Sequence, residues 1–151
     1  MNEQELKNAL VVFLKKIKNA KVTWYLEGSA SLFVQGVNVQ PKDIDITTTK
    51  ESLKVFKEIL KKHISEEGYK EEIKAQIIKC LIKNCEIEIA VYDEKEKSNF
   101  NTMQRITWKG LTLPVQSLKQ TLKFYKRIKR REKARIIEKF LTSSNSSKQE
   151  K

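Results

Sequence analysis

No stretch of the chain stays apolar for the roughly 18–20 residues that a membrane-spanning helix needs, and none comes close. Cysteine is nearly missing. Cys80 and Cys85 stand apart, outside any CxxC, with no histidine nearby to complete a zinc set, so they read as two reduced thiols in or beside strands. Histidine occurs once, at His63, beside an apolar stripe, where it reads as a packing or surface residue rather than a catalyst. Internal repeats and interdomain linkers are absent too. The opening Met1-Asn2-Glu3-Gln4-Glu5-Leu6 is acidic and has neither the basic nor the apolar region of a signal peptide. These absences together predict an intracellular, cytoplasmic protein.

What is present suits one globular domain. Apolar residues make up 39% and charged residues 33% of 151 positions, enough chain for a sizeable core. The domain is expected over residues 1–142, followed by a serine-rich, polar, disordered tail over 143–151. Net charge is +12, and much of it is local. Between Lys119 and Lys139 ten basic residues face only Glu132 and Glu138, a balance of +8. Such a stretch offers RNA or nucleotide phosphates a surface, or is simply a solvated helix face.

Periodicity lays out the elements. Leu6, Leu10, Phe13, Leu14 and Ile17 predict a helix over 3–19, and Val22–Leu26 a strand ending at Glu27-Gly28-Ser29. A short helix over 29–35 closes at Gly36, and Asp43–Thr47 alternates as a strand. Thr48 and Glu51 have the spacing of a capping box, opening a helix with Leu53, Phe56, Ile59 and Leu60 inward. Two hairpins follow: Ile77–Ile82 with Cys85–Tyr92 about Lys83-Asn84, and Ile106–Trp108 with Leu111–Leu113 about Lys109-Gly110. Ser117 caps a helix with Leu118, Leu122, Tyr125 and Ile128 inward, and a last helix carries Ile136, Ile137, Phe140 and Leu141. The sum is an α+β fold, one mixed β-sheet with helices packed against it and helices at the C-terminal end.

Three short segments carry the chemistry. Asp43 and Asp45, two apart on a strand, project to one face, while Ile44 and Ile46 take the other. Two carboxylates so close repel when ionised, and a hard cation such as magnesium relieves them. Gly28-Ser29, at a strand end that turns into a helix, can aim backbone N–H groups and a hydroxyl at a phosphate. Glu86 and Glu88 share one face of a further strand, so one of them could join the aspartates across the sheet.

In this order, strand, Gly-Ser, short helix, Asp-x-Asp strand and carboxylate strand, the chain resembles the nucleotidyltransferases of the DNA polymerase β superfamily. It is most similar to their minimal nucleotidyltransferase domains, the small bacterial and archaeal members. The likeness covers roughly residues 5–141. Val22 to Ser29, Gln35-Gly36-Val37 and Lys42 to Ile46 are its most specific part. Glu86-Ile87-Glu88-Ile89, Leu113 to Leu118 and Arg131-Glu132-Lys133-Ala134 add to it.

The resemblance implies a metal-dependent transfer of a nucleoside monophosphate from a nucleoside triphosphate to an acceptor hydroxyl, with pyrophosphate released. Gly28 and Ser29 would hold the β- and γ-phosphates. Asp43, Asp45 and a third carboxylate would bind Mg2+ or Mn2+, with two ions about 3.5–4 Å apart, and the third carboxylate would activate the hydroxyl. Family strands ending in an acidic-Ile pair point to Glu88 rather than Glu86 for that role. Many relatives have aspartate there, and the glutamate reaches one methylene further. A second implied reading is a catalytically silent, antitoxin-like or accessory module, contacting a partner protein or RNA through its basic C-terminal helices.

Overall fold

The first helix sets the pattern for the others, because its start and its buried face are both written locally. In this computed structural model, which describes residues 1–94 and 98–150 with the side chains of 144–150 excepted, α1 spans Glu3–Ile17. The Asn2 side chain accepts from the Glu5 N–H and the Glu5 carboxylate accepts from the Asn2 N–H, a complete capping box. Leu6, Leu10 and Phe13 then fall on one face and are fully buried.

Seven strands form one mixed sheet: β1 (Trp24–Glu27), β2 (Ile44–Thr48), β3 (Ile64–Lys70), β4 (Ala75–Ile82), β5 (Cys85–Tyr92), β6 (Met103–Trp108) and β7 (Leu111–Gln116). Their order across the sheet is β3-β4-β5-β2-β1-β7-β6. The pairs β2–β5 and β1–β7 are parallel and the remaining four antiparallel. Both expected hairpins are present. Lys83 and Asn84 have φ of 52° and 63°, and Lys109 and Gly110 have 50° and 80°, the paired positive φ of a type I′ turn.

Alternation divides the sheet into two faces. Leu26, Ile44, Ile46, Ile87 and Ile89 point toward α1 and α3 (Lys50–Ile59), into the main core with Phe13 and Phe56. Phe13 stacks on Phe56 and meets Trp24 edge-on, with centroids 6.0 and 5.3 Å away. The other face carries Glu27, Asp45 and Glu88. Beside it lie α2 (Gly28–Val34), α4 (Leu118–Arg127) and α5 (Arg131–Glu150), joined by a second cluster of Leu32, Val37, Tyr125, Ala134 and Ile137. Ser117 caps α4 as expected, accepting from the Gln120 N–H.

Some local expectations shift. The cap of α3 is Thr49, which accepts from the Ser52 N–H, whereas Thr48 is the last residue of β2 and donates its hydroxyl to the Thr23 carbonyl at 2.5 Å. Ile128 ends α4 and lies exposed, because the chain turns at Lys129 (φ 61°) before α5. β3 has no counterpart in the sequence reading. Its seven residues are almost all exposed at the sheet edge, so no alternation of apolar residues marks them. The backbone of α5 takes in residues 143–150, most of the segment expected as a disordered tail, and Lys151 lies outside the described residues. Cys80 and Cys85 are both free and buried.

Candidate active site

Strand register assembles the acidic side of the site. Asp45 on β2 lies directly opposite Glu27 on antiparallel β1 and opposite Glu88 on parallel β5. Three carboxylates therefore form a row across three neighbouring strands on one face. Asp43 stands one residue before β2 begins, two residues from Asp45. Glu86 shares the Glu88 face, but its carboxylate is nearly half exposed and pairs with Lys79 Nζ at 3.2 Å. Register thus sets Glu88 beside Asp45, and Glu86 further along the strand.

Burial and like charge act together on this row. The Asp45 carboxyl is pushed up to about 7, first by burial, then by the negative charges of Asp43, Glu88 and Glu27, with Lys133 opposing. Burial also lifts Glu27 to about 7, although the Thr47 hydroxyl donates a hydrogen bond to it and favours the anion. Tyr25, Tyr92 and Tyr125 surround the row, and their phenols are raised mainly by burial and further by these carboxylates.

Gly28 closes the acidic row against α2. Its φ is +69°, and a Cβ built there would lie 2.6 Å from Asp45 Oδ2. Glycine is needed twice over, for the backbone angle and for the approach. The Lys42 N–H donates to Ser29 Oγ at 3.1 Å, tying the lead-in of β2 to the first turn of α2. That leaves the Ser29 O–H able to donate outward.

A cationic side faces the acids. Lys133 on α5 sits 5.4 Å over the Tyr125 ring. Its ammonium is pushed down by burial and by the neighbouring charges of Arg130 and Lys42, and back up by Asp45 and Asp43. Lys42, Arg130 and Lys133 therefore share one electrostatic neighbourhood with both aspartates. In the sequence Arg130 stands out only as part of the basic stretch, Lys133 also as part of the family-like Arg131-Glu132-Lys133-Ala134 segment, and Glu27 carries no role. Glu27 immediately precedes Gly28, so pairing β1 with β2 by register would have found it. Lys70 at the end of β3 was also missed. Its Nζ is 2.8 Å from Glu88 Oε2, in a part-buried pair.

The donors are hard carboxylate oxygens crowded enough to repel, a chemistry that fits Mg2+ or Mn2+. Among the described residues no three His, Cys, Asp or Glu side chains already converge to hold one ion. Beneath α4 the cavity lined by Tyr25, Glu27, Gln116 and Thr121 measures about 10 Å3. It has room for no more than a water.

The model of the aminoglycoside-2''-adenylyltransferase family matches residues 9–140. The chain belongs to this family. Like its family it is a nucleotidyltransferase, working on a nucleoside triphosphate and an acceptor. Its fold is similar to that of a proposed nucleotidyltransferase from Thermotoga maritima, at 25% identity and TM-score 0.73 over 95% of this chain and 96% of that one. The lincomycin-bound lincosamide adenylyltransferase LnuA shares the fold at 18% identity and TM-score 0.57, covering 83% and 86% of the two chains. ANT(2'')-Ia in complex with adenylyl-2''-tobramycin does so at 12% and 0.61, covering 92% of each. No curated protein sequence is a significant match. The polymerase β-type likeness and the α+β fold read from the sequence both stand. No helix among the described residues is long and apolar enough to cross a membrane.

Proposed function

We propose that the protein moves a nucleoside monophosphate, AMP first among them, from a triphosphate to an acceptor hydroxyl in a reaction that needs Mg2+ or Mn2+. The observation that carries this reading is the placement of Asp45, opposite Glu88 in register and so close to Gly28 that no Cβ fits between them. Gly28 and Ser29 hold the β- and γ-phosphates, with the Ser29 hydroxyl donating. Lys133, Arg130 and Lys42 balance the triphosphate charge from the opposite side. Asp43 and Asp45 would hold the divalent ions, which when bound neutralise charge on the entering and leaving oxygens. Glu88 completes the donor set and accepts the hydroxyl proton. The acceptor oxygen then bonds to the α-phosphorus, the bond from that phosphorus to the α–β bridging oxygen breaks, and pyrophosphate leaves. The remaining contribution is alignment of the two substrates.

The silent, antitoxin-like alternative is not favoured by membership of an adenylyltransferase family, and a protein or RNA partner has no support. Pyrophosphate release with each of the four NTPs, with Mg2+ or Mn2+ and a panel of hydroxyl acceptors, tests the proposal against Asp45→Asn as the blank. Release above that blank only when a metal is present is expected. Release that is equal in both proteins overturns the site.

A further inference from the structure

The third carboxylate is already engaged. Lys70 Nζ stands 2.8 Å from Glu88 Oε2, and the side chains are 33% and 18% exposed, so the pair is partly shielded from water and salt. Its geometry comes from the fold. Lys70 is the last residue of edge strand β3 and pairs with Ala75, which pairs in turn with Tyr92 of β5. Glu88 lies four residues before Tyr92 on β5, so the lysine slants back along the sheet, over β4, to meet it. The nearer lysine in register, Lys79 opposite Glu88, is taken by Glu66 and Glu86. A carboxylate that accepts a charged hydrogen bond of this length has one oxygen committed.

We propose that Lys70 competes with the divalent ion for Glu88, so that the resting protein offers an ion Asp43 and Asp45, and Glu88 joins only when Lys70 releases it. This rests on the metal reading above. Lys70 is a positioning residue acting through Glu88, and the pair sets how tightly the first ion binds before any nucleotide arrives.

The competition has a distinct signature in Mn2+ binding without nucleotide, measured by calorimetry on the full chain. Lys70→Met should tighten Mn2+ binding about fivefold or more. Glu88→Gln alone should change it less than twofold, because Glu88 is held elsewhere. In the double variant Glu88→Gln should remove the gain, a coupling that separates competition from simple loss of a positive charge. Lys79→Met, which also removes one charge near Glu88, should give no such coupled gain. Lys70→Arg, which keeps a cation in place on the exposed edge, should stay near wild type and guards against a Met variant that folds poorly. Mn2+ binding that Asp43→Asn abolishes but Lys70→Met leaves unchanged overturns the inference and spares the metal reading. So does a gain that survives Glu88→Gln. Absence of Mn2+ binding in wild type and Lys70→Met alike overturns both.

Discussion

Asp45 has three acidic neighbours and one lysine in its electrostatic surroundings, which ties folding to pH. A carboxyl raised in the folded state holds its proton where the unfolded chain has lost it. Stability then falls as pH rises from about 4, where the unfolded group ionises, through about 7, where Asp45 and Glu27 do. The metal-free protein should therefore melt at a lower temperature at pH 8 than at pH 5. Asp45→Asn should flatten this difference by on the order of 5 °C, read by scanning calorimetry, and an unchanged slope would contradict the burial of charge here. Mn2+ should restore part of the loss at pH 8 in wild type only. Gly28 gives a second test. Gly28→Ala puts a methyl group against Asp45 Oδ2 at a backbone angle that disfavours L-residues, and should lower unfolding free energy by roughly 1–3 kcal/mol. Chemical denaturation should recover some of that in an Asp45→Ala background, which removes the obstructing oxygen but not the angle.

At the scale of elements, the neighbouring threonines Thr48 and Thr49 do different work. Thr49→Ala should cost about 1 kcal/mol through the lost cap of α3, measured by urea unfolding. Thr48→Val keeps the shape but leaves the Thr23 carbonyl without that hydroxyl, and the strand end rather than the helix should loosen. The sequence could show that a helix begins here but not which threonine caps it, since either one lies within a turn of suitable partners. Hairpins were easier, because Lys83-Asn84 and Lys109-Gly110 combine turn residues with flanking strand patterns. β3 was illegible for the opposite reason: Ser65, Glu66, Glu67 and Tyr69 face solvent, and edge pairing leaves no mark on hydrophobicity. Of the site, Gly28, Ser29, Asp43 and Asp45 could be nominated from local spacing, which left Glu86 and Glu88 open until the family resemblance favoured Glu88. Glu27, Lys70 and Lys133 become visible only through pairing between distant strands or the return of α5, which no local window holds.

For the whole molecule, the +12 charge is not a uniform coat. Within the C-terminal basic stretch, Lys126 is held by Glu138 at 2.8 Å and Arg127 lies 5.8 Å over the Phe124 ring, whereas Lys133 interacts with both aspartates. Replacing Lys123, Lys126 and Arg127 together by glutamine should leave the KM for the triphosphate within about twofold. Lys133→Met should raise it roughly tenfold, about 1.4 kcal/mol of lost binding. Equal effects in steady-state kinetics would remove Lys133 from the phosphate side of the site. The core has its own test in Phe13→Ala, expected to cost about 3–5 kcal/mol by emptying the space between Trp24 and Phe56. The parallel pairing of Leu26 with Val115 has a consequence in time. As the chain is synthesised, β1 emerges early and pairs with β2, but its other edge stays open until β7 follows nearly ninety residues later. Until then a central strand offers an unsatisfied edge to any passing chain, and such long-range closure is slow. Nascent chains halted before Leu111 should therefore be the aggregation-prone species, and the Gly28-Ser29 turn at the end of β1 should be among the last parts of the protein to become rigid.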